Sequence, residues 1–213
     1  MDSEEALVRA AQAGSLEAFN ELVLAYQGQL YALAYRMLGD QDAAADVTQE
    51  AFLSAYQHLS HYRGGSLRAW LLRIATNLCL DQIRRQRSLP VSPLEILLTR
   101  PDSPEFHRLE GEETDPEVHV ERLELAQEIQ RALLSLPPEQ RAVIVLCDIE
   151  GLPYQEAAVA AGITSGTLKS RLSRARSRLR DYFLGRRELF PGFFRSIQKS
   201  DPNSHKDGPA DTQ

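Results

Sequence analysis

Residues 153–179 read PYQEAAVAAGITSGTLKSRLSRARSRL and decide the fold of the second half of the chain. Pro153 is suited to open a short alanine-rich helix, and Gly162 can adopt the positive φ that a tight turn between crossing helices requires. Thr164 or Ser165 can cap a second helix. The apolar residues of that helix recur every three or four positions and predict one buried face, formed by Leu168, Leu172, Ala175 and Leu179. The whole pattern predicts a helix-turn-helix.

The polar face of the second helix is strongly basic. Within this helix, no acidic residue occurs before Asp181. The outward positions are Lys169, Ser170, Arg171, Ser173, Arg174 and Arg178. A solvated helix usually mixes charges and gains from pairs spaced four residues apart, whereas these cations repel one another. A polyanion relieves that repulsion, and side chains near the start of such a helix can reach base edges in the DNA major groove. The alternative is a plain helical hairpin with a basic solvent-exposed face.

Charge is segregated along the chain, although the whole protein of 213 residues has a net charge of −6. Residues 63–87 contain six arginines and one aspartate, a net charge of +5. Residues 169–187 contain eight basic residues and one aspartate, a net charge of +7. The segments 1–62 and 100–128 each carry a net charge of −7. Two basic patches in an acidic protein indicate two surfaces that attract phosphate.

Helical periodicity also dominates the rest of the chain. Apolar residues follow steps of three and four from Phe19 to Met37, from Val47 to Leu59 and from Leu67 to Ile83. A proline-rich, acidic stretch breaks the pattern and predicts a flexible linker. Because no segment alternates with a period of two residues, the sequence predicts an all-α protein. Its predicted parts are a helical domain at 1–87, the linker at 88–117, a helix-turn-helix domain at 118–183 and a C-terminal extension at 184–213.

Sequence motifs that the chain lacks exclude several classes of protein. It has no GxGxxG, Walker-type loop, HExxH or GxSxG motif, so we predict that it is not an enzyme. Cys79 and Cys147 lie in apolar helical patterns and are predicted to be buried free thiols in a reducing cytoplasm. No metal site and no cofactor is expected. No apolar run is long enough to span a membrane, and the acidic start at Asp2 is unlike a signal peptide.

Two separate stretches resemble RNA polymerase sigma factors of the sigma-70 family, extracytoplasmic-function (ECF) branch. DVTQEAF at residues 46–52 and YRGGSLRAWLLRIATN at residues 62–77 resemble the family's domain two. LPPEQR at residues 136–141, GLPYQEAA at residues 151–158 and GTLKSRLSRAR at residues 166–176 resemble its domain four. A helix-turn-helix that arose by chance would not bring the upstream half with it in the right order.

The resemblance implies a bacterial, cytoplasmic protein that binds core RNA polymerase and promoter DNA and directs transcription initiation under stress or envelope regulation. An anti-sigma factor is a further implied partner, whereas membrane insertion and a small-molecule substrate are not expected. It implies that the polymerase is bound by Asp46, Gln49, Glu50 and Phe52. It assigns the minus-ten promoter element to Tyr62, Arg63, Ser66, Arg73, Asn77, Asp81, Arg84 and Arg85. It assigns the minus-thirty-five element to Ser165, Thr167, Lys169, Ser170, Arg171, Arg174 and Arg178.

Other functions fit the sequence less well. A stand-alone helix-turn-helix regulator that binds operators as a dimer would leave residues 15–87 without a role. An inhibitory partner protein, such as an anti-sigma factor, would not need two basic DNA-reading faces. Two segments stay open: the acidic linker is either a mimic of RNA in a basic polymerase channel or a solubilising tether. The apolar residues of the C-terminal extension pack on the second domain, bind an anti-sigma factor or polymerase, or hold the two domains together.

Overall fold

The structure is a computed structural model that describes residues 2–88 and 116–186. Its α-helices are α1 (Asp2–Gln12), α2 (Leu16–Leu38), α3 (Gln41–His58), α4 (Leu67–Ser88), α5 (Pro116–Leu134), α6 (Pro138–Ile144), α7 (Tyr154–Ala160) and α8 (Ser165–Leu184). A short 3-10 helix covers Leu59–His61, and a π-helical segment covers Val145–Ile149. No strand occurs within the described ranges, and the all-α prediction is confirmed there. Most of the predicted linker and of the C-terminal extension lies outside these ranges.

Helices α1–α4 form the first module, and its local structure follows from cap residues. The Ser15 hydroxyl accepts a hydrogen bond from the Ala18 amide at 3.2 Å and begins α2. Gly39, at φ +77°, ends α2 in the left-handed conformation, and the Asp40 carboxylate then caps α3. The chain therefore passes from α2 to α3 through these two residues alone.

Helix α1 is an element that the periodicity did not reveal. It is short, and its apolar face is limited to Leu7, Val8 and Ala11. Val8 and Ala11 are each only 6% exposed, because α1 packs on α2 and on the 3-10 helix. The stabilisation of so short a helix comes from this packing rather than from its own propensity.

Helices α5–α8 form the second module, which contains the predicted helix-turn-helix. Pro138 occupies the first turn of α6, and Gly162 has a φ of +64° between α7 and α8. The Thr164 hydroxyl accepts a hydrogen bond from the Thr167 amide at 3.2 Å and caps α8. The predictions for Gly162 and Thr164 are confirmed.

The sequence also predicts a helix that begins at Pro138 and ends at Gly151; the structure confirms its start, and its C-terminal part is helical but not α-helical. From Val145 the helix widens into the π form, and the Glu150 amide bonds to the Val145 carbonyl at 2.8 Å. The π form accommodates one more residue in its turn than an α-helix does. It ends directly at Glu150, whose side chain contacts the first module.

The two modules pack against each other. Helix α4 of the first module lies against α7 of the second, and the C-terminal part of α2 lies against α5. Leu134 of α5 covers Gly39 so closely that a Cβ atom there would be 2.6 Å from its Cδ1 atom. A side chain at residue 39 would force Leu134 to shift, and it would also be strained by the left-handed backbone conformation that favours glycine there.

Candidate nucleic-acid and protein interfaces

Helix α8 presents a basic surface on the side opposite its buried residues, here called the α8 basic surface. Leu168, Leu172 and Ala175 are at most 2% exposed and fix the inward side of the helix. At about 100° per residue, Ser170 and Arg174 fall on the outward side. The described exposed members of the predicted set are Ser165, Lys169, Ser170, Arg174 and Arg178, whereas Thr167 and Arg171 are half-buried.

Arg176 of α8 has a structural partner instead of an open position. Its guanidinium donates two hydrogen bonds to the Asp148 carboxylate, at 2.9 and 2.6 Å. These hydrogen bonds raise the pKa of Arg176 above its ordinary value. A bidentate pair of this kind fixes orientation as well as charge. Arg176 therefore bridges α8 and the π-helical segment, whereas the buried side of α8 sets the direction in which the α8 basic surface points.

A second basic surface, the α4 basic surface, comprises the loop Tyr62–Ser66 and the outward side of α4. Ser66 caps α4 by accepting a hydrogen bond from the Ala69 amide at 3.1 Å. The spacing of Arg73, Asn77 and Arg84 places them on the same side of the helix. Asp81 is paired with Arg84 at 2.6 Å. The predicted residues of this surface thus form a continuous strip, and Arg63, Ser66, Arg73, Asn77, Arg84 and Arg85 are exposed.

An apolar groove, the α2–α3 groove, lies on the other side of the first module. It has a volume of about 480 Å³ and is lined by Leu16, Phe19, Val23, Gln27, Thr48, Gln49, Phe52, Leu53 and Tyr56. Phe19 and Tyr56 meet edge to face across it, with their ring centroids 5.0 Å apart. Leu16 and Leu53 are 59% and 64% exposed, which is unusual for two leucines so close together. A surface of this kind is typical of a protein-binding site.

Glu150 links the second module to the first through hydrogen bonds and charge. Its carboxylate accepts hydrogen bonds from Gln29 at 2.6 Å and from Arg68 at 3.2 Å, and it lies 3.9 Å from the Arg36 guanidinium. Arg68 also donates to the main-chain carbonyl of Glu150 at 2.5 Å. The periodicity places Arg68 on the outward side of α4, but the structure uses it for this contact.

Arg141 and Gln130 cap the end of α2 from the second module. Arg141 is 7% exposed, and its guanidinium donates to the carbonyl of Met37 and to three carbonyls of its own module, those of Leu133, Leu134 and Leu136. Gln130 donates to the Tyr35 carbonyl at 3.0 Å. The last carbonyls of a helix have no partner within it. Burial lowers the pKa of Arg141 to about 10, which leaves it charged at neutral pH.

Both cysteines are free and buried, as predicted. Burial raises the pKa of Cys79 to about 12 and that of Cys147 to about 11, so both thiols stay protonated at neutral pH. Among the residues described, no three His, Cys, Asp or Glu side chains are grouped so that they could hold a metal ion. Within the same ranges, no helix combines the length and the apolar character needed to cross a membrane.

Comparison with known proteins agrees with the two-module architecture. Residues 22–89 match the family described as "Sigma-70 region 2", and residues 126–179 match "Sigma-70, region 4". The two matches together cover more than half of the chain. This chain belongs to the sigma-70 family. It is a sigma factor of the ECF branch, which directs transcription initiation and is not an enzyme.

Individual relatives place this sigma factor in the ECF branch. The ECF RNA polymerase sigma factor SigE of Mycolicibacterium smegmatis is 40% identical over 168 residues, 79% of this chain, which spans 62% of that relative's length. SigM of Mycobacterium tuberculosis is 35% identical over 178 residues, 83% of each chain. A solved structure of the sigma factor RpoE with the anti-sigma factor NepR from Bartonella quintana covers 79% of this chain and 98% of that chain, at 26% identity and a TM-score of 0.59.

The residues that resemblance assigned to polymerase binding fall on α3 of this sigma factor, beside and within the α2–α3 groove. Asp46 and Glu50 are exposed at its margin, and Gln49 lines it. Phe52 also lines it but is only 8% exposed, because most of its ring packs in the core. Sequence reasoning missed Leu16 and Leu53. Leu53 could have been found, since it is an apolar residue that does not fit the buried stripe of α3.

Besides Ser66 and the Asp81–Arg84 pair, three residues assigned to the promoter elements are engaged in local structure: Ser170, whose hydroxyl donates to the Thr167 carbonyl at 2.9 Å, and also Tyr62 and Thr167. The Tyr62 hydroxyl donates to the Gly65 carbonyl at 2.7 Å, which closes the loop before α4. The Thr167 hydroxyl lies 2.9 Å from the Thr164 hydroxyl at the cap of α8. Both side chains shape the element that carries the exposed residues. Sequence reasoning also missed Gln29, Gln130 and Glu150, whose roles depend on the contact between the modules.

Proposed function

We propose that this sigma factor binds core RNA polymerase through the α2–α3 groove and reads the two promoter elements with different modules. The observation that carries the proposal is the presence of two exposed basic surfaces on separate modules of one chain. The α4 basic surface would bind the minus-ten element, and the α8 basic surface would bind the minus-thirty-five element. A stand-alone regulator would need only the second of these surfaces.

The chemistry of the α4 basic surface fits single-stranded DNA. Opening a promoter requires that bases leave the stack and that the phosphates of the displaced strand are neutralised. Arg73, Arg84 and Arg85 supply positive charge along α4, and Asn77 between them can both donate and accept hydrogen bonds. The Tyr62 ring lies 5.3 Å from Trp70 at the start of the strip and adds aromatic surface.

The chemistry of the α8 basic surface fits double-stranded DNA. A recognition helix enters the major groove with its N-terminal residues nearest to the bases, and later basic residues contact phosphates. Ser165, Lys169 and Ser170 lie in the first two turns of α8. Arg174 lies between them and Arg178. We therefore expect base readout at the start of this surface and phosphate contacts toward its end.

Arg174 and Arg178 form a matched pair that tests this order. If Arg174 reaches a base edge, Arg174→Ala should relax the preference for one position of the minus-thirty-five element by about 1–3 kcal/mol. Arg178→Ala should instead weaken binding to all promoters alike. It should also reduce the slope of log K against log salt concentration by about one, the value for one phosphate contact. Binding of the holoenzyme to a panel of single-base promoter variants at several salt concentrations measures both effects. Equal, sequence-independent losses in the two variants would show that Arg174 contacts phosphate only.

The α2–α3 groove is proposed as the polymerase-binding site because it combines exposed leucines with a carboxylate margin. A buried charge without a partner costs several kcal/mol, so Leu53→Glu should weaken binding to core polymerase at least tenfold. Leu24→Glu is the matched control, since Leu24 is 68% exposed on α2 but does not line the groove. Fluorescence anisotropy of the labelled sigma factor with core polymerase measures the affinity. Equal affinities of the two variants would place the binding site elsewhere.

The regulatory partner and the location of the protein are also proposals. The likeness to a structure of a sigma factor with its anti-sigma factor supports an anti-sigma factor as the protein that controls this chain. A cytoplasmic location follows from a role in bacterial transcription.

Promoter opening tests the proposed function. Core polymerase carrying this chain should open a promoter in which 2-aminopurine replaces an adenine of the minus-ten element, and the fluorescence of the 2-aminopurine should rise. Absence of that rise on every promoter that the complex binds would contradict the proposed function.

A further inference from the structure

Helix α1 and the loop Tyr62–Ser66 enclose a cleft of about 710 Å³. One side of the cleft is the loop, and the other is a face of α1. The residues of α1 that line it are Glu4, Glu5, Val8, Arg9 and Gln12. The family match begins at residue 22, so it does not include α1. The cleft is thus built from an element with no assigned role and from the loop at the start of the α4 basic surface.

The loop contains a sequence that does not hold a single conformation by itself. Gly64 and Gly65 are consecutive, both have a φ of +96°, and no atom lies near the position that a Cβ would take. Glycine loses more conformational freedom on ordering than any other residue. Inside the loop, the described side-chain constraints are the hydrogen bond from the Tyr62 hydroxyl to the Gly65 carbonyl and the cap that Ser66 provides to α4.

Gln12 at the end of α1 supplies a constraint from outside the loop. Its amide nitrogen donates to the Leu59 carbonyl at 2.9 Å and to the Tyr62 carbonyl at 3.0 Å. A primary amide nitrogen has two protons, so both of its donors are used. The two carbonyls belong to the residues that begin and follow the 3-10 helix, directly before the glycines. Gln12 therefore fixes the point at which the chain enters the loop.

Helix α1 is itself anchored firmly enough to act as a brace. Val8 and Ala11 are buried against α2, and the Tyr26 hydroxyl donates a hydrogen bond to Glu4. Burial of Tyr26 and that hydrogen bond raise the pKa of its hydroxyl further above neutral pH, where it is a donor. The hydrogen bonds of Gln12 thus hold the start of the loop at a fixed position relative to α2.

We infer that α1 is part of the minus-ten surface of this sigma factor and that Gln12 is a positioning residue for the loop Tyr62–Ser66. The inference rests on the proposed function, because the loop matters only if it binds promoter DNA. The cleft between α1 and the loop is lined by Val8, Tyr62 and Arg63, and also by the Glu4 and Glu5 side chains, whose carboxylates can accept hydrogen bonds from the amino group of a base. An unstacked base needs such a combination of apolar, aromatic and hydrogen-bonding contacts.

The test uses full-length sigma factor with core polymerase and two variants of one residue. Gln12→Glu keeps the size of the side chain but removes both donors, and Gln12→Ala removes the side chain. Loss of these hydrogen bonds releases the entrance of the loop, so discrimination between the promoter and its minus-ten base variants should fall about threefold to tenfold in either variant. Gln57→Glu is the charge-matched control, at an exposed glutamine of α3 in the same module. Affinity for core polymerase should be unchanged in all three.

Trp70 is the only tryptophan of the chain and provides a readout that does not depend on polymerase. Because it packs against Tyr62, release of the loop should increase quenching of its fluorescence by acrylamide in Gln12→Glu but not in Gln57→Glu. Unchanged quenching and unchanged minus-ten discrimination in both Gln12 variants would overturn the inference. A wild-type protein that opens no promoter, with quenching changed in the Gln12 variants, would refute the proposed function and leave only a structural role for Gln12.

Discussion

Replacing Arg141 with methionine should lower the free energy of unfolding by about 3–5 kcal/mol, the cost of breaking a buried, hydrogen-bonded charged site. Methionine fills much of the same volume but leaves the carbonyls of Met37, Leu133, Leu134 and Leu136 without their donor. Each buried carbonyl that loses its partner costs about 1–3 kcal/mol, and some will regain water. In a chain of this length, the melting temperature should fall by about 10 °C.

Urea unfolding followed by circular dichroism measures this effect. Arg176→Met is the control, because it removes the same charge from an exposed ion pair whose contribution should be below about 1 kcal/mol. Arg141→Lys should be intermediate, since an ammonium group keeps the charge but cannot reach all four carbonyls. A loss for Arg141→Met no larger than that for Arg176→Met would mean that the carbonyls do not depend on this guanidinium.

Replacing Glu150 with lysine should separate the two modules in the free protein. The new ammonium group would face Arg36 and Arg68 where the carboxylate now accepts hydrogen bonds from Arg68 and Gln29. Unpaired like charges in a buried contact oppose its formation. Electron spin resonance distances between labels at Gln57 and Ser173, one exposed residue in each module, should become longer and more broadly distributed. The native thiols are buried and will not compete strongly for the label.

Asp148→Lys is the matched control for this experiment. It makes the same charge change two residues away, but Asp148 pairs with Arg176 inside the second module. The distance between the labels should therefore stay as in the wild type. A wild-type distance in Glu150→Lys as well would show that apolar packing between α4 and α7 holds the modules together without Glu150.

The contact between the modules has a consequence for promoter binding. The two promoter elements lie about 25 base pairs apart, on the order of 85 Å at 3.4 Å per base pair. A compact body of roughly 150 residues has a radius of gyration of only about 15 Å. If each basic surface binds the promoter element proposed for it, the packed modules are too small to reach both, and we expect the Glu150 contact to break when the holoenzyme binds a promoter.

The sequence predicted well what depends on local physics. The cap at Thr164 and the turn at Gly162 follow from short-range backbone requirements, and both were confirmed. The α8 basic surface was predictable because periodicity and charge give its inward and outward sides together. Arg176 is the exception, since its partner Asp148 is distant in sequence.

The sequence could not predict what depends on distant contacts. Helix α1 has too short an apolar face to be distinguished, and it is stable because α2 lies beside it. Arg68 looks like its neighbours on α4, and only the position of Glu150 gives it a different role. The same holds for Gln12, whose partners are 47 and 50 residues away along the chain. Polar residues of this kind carry no signal until the tertiary structure is known.

Run-off transcription with purified core polymerase tests the central claim most directly. The template should carry a promoter that the complex of core polymerase and this chain has selected from a randomised library. We predict a transcript of defined length that requires this chain and disappears when the minus-ten or the minus-thirty-five element is scrambled. No transcript above that of core polymerase alone, together with tight and specific DNA binding by the free chain, would contradict the account and favour a stand-alone regulator.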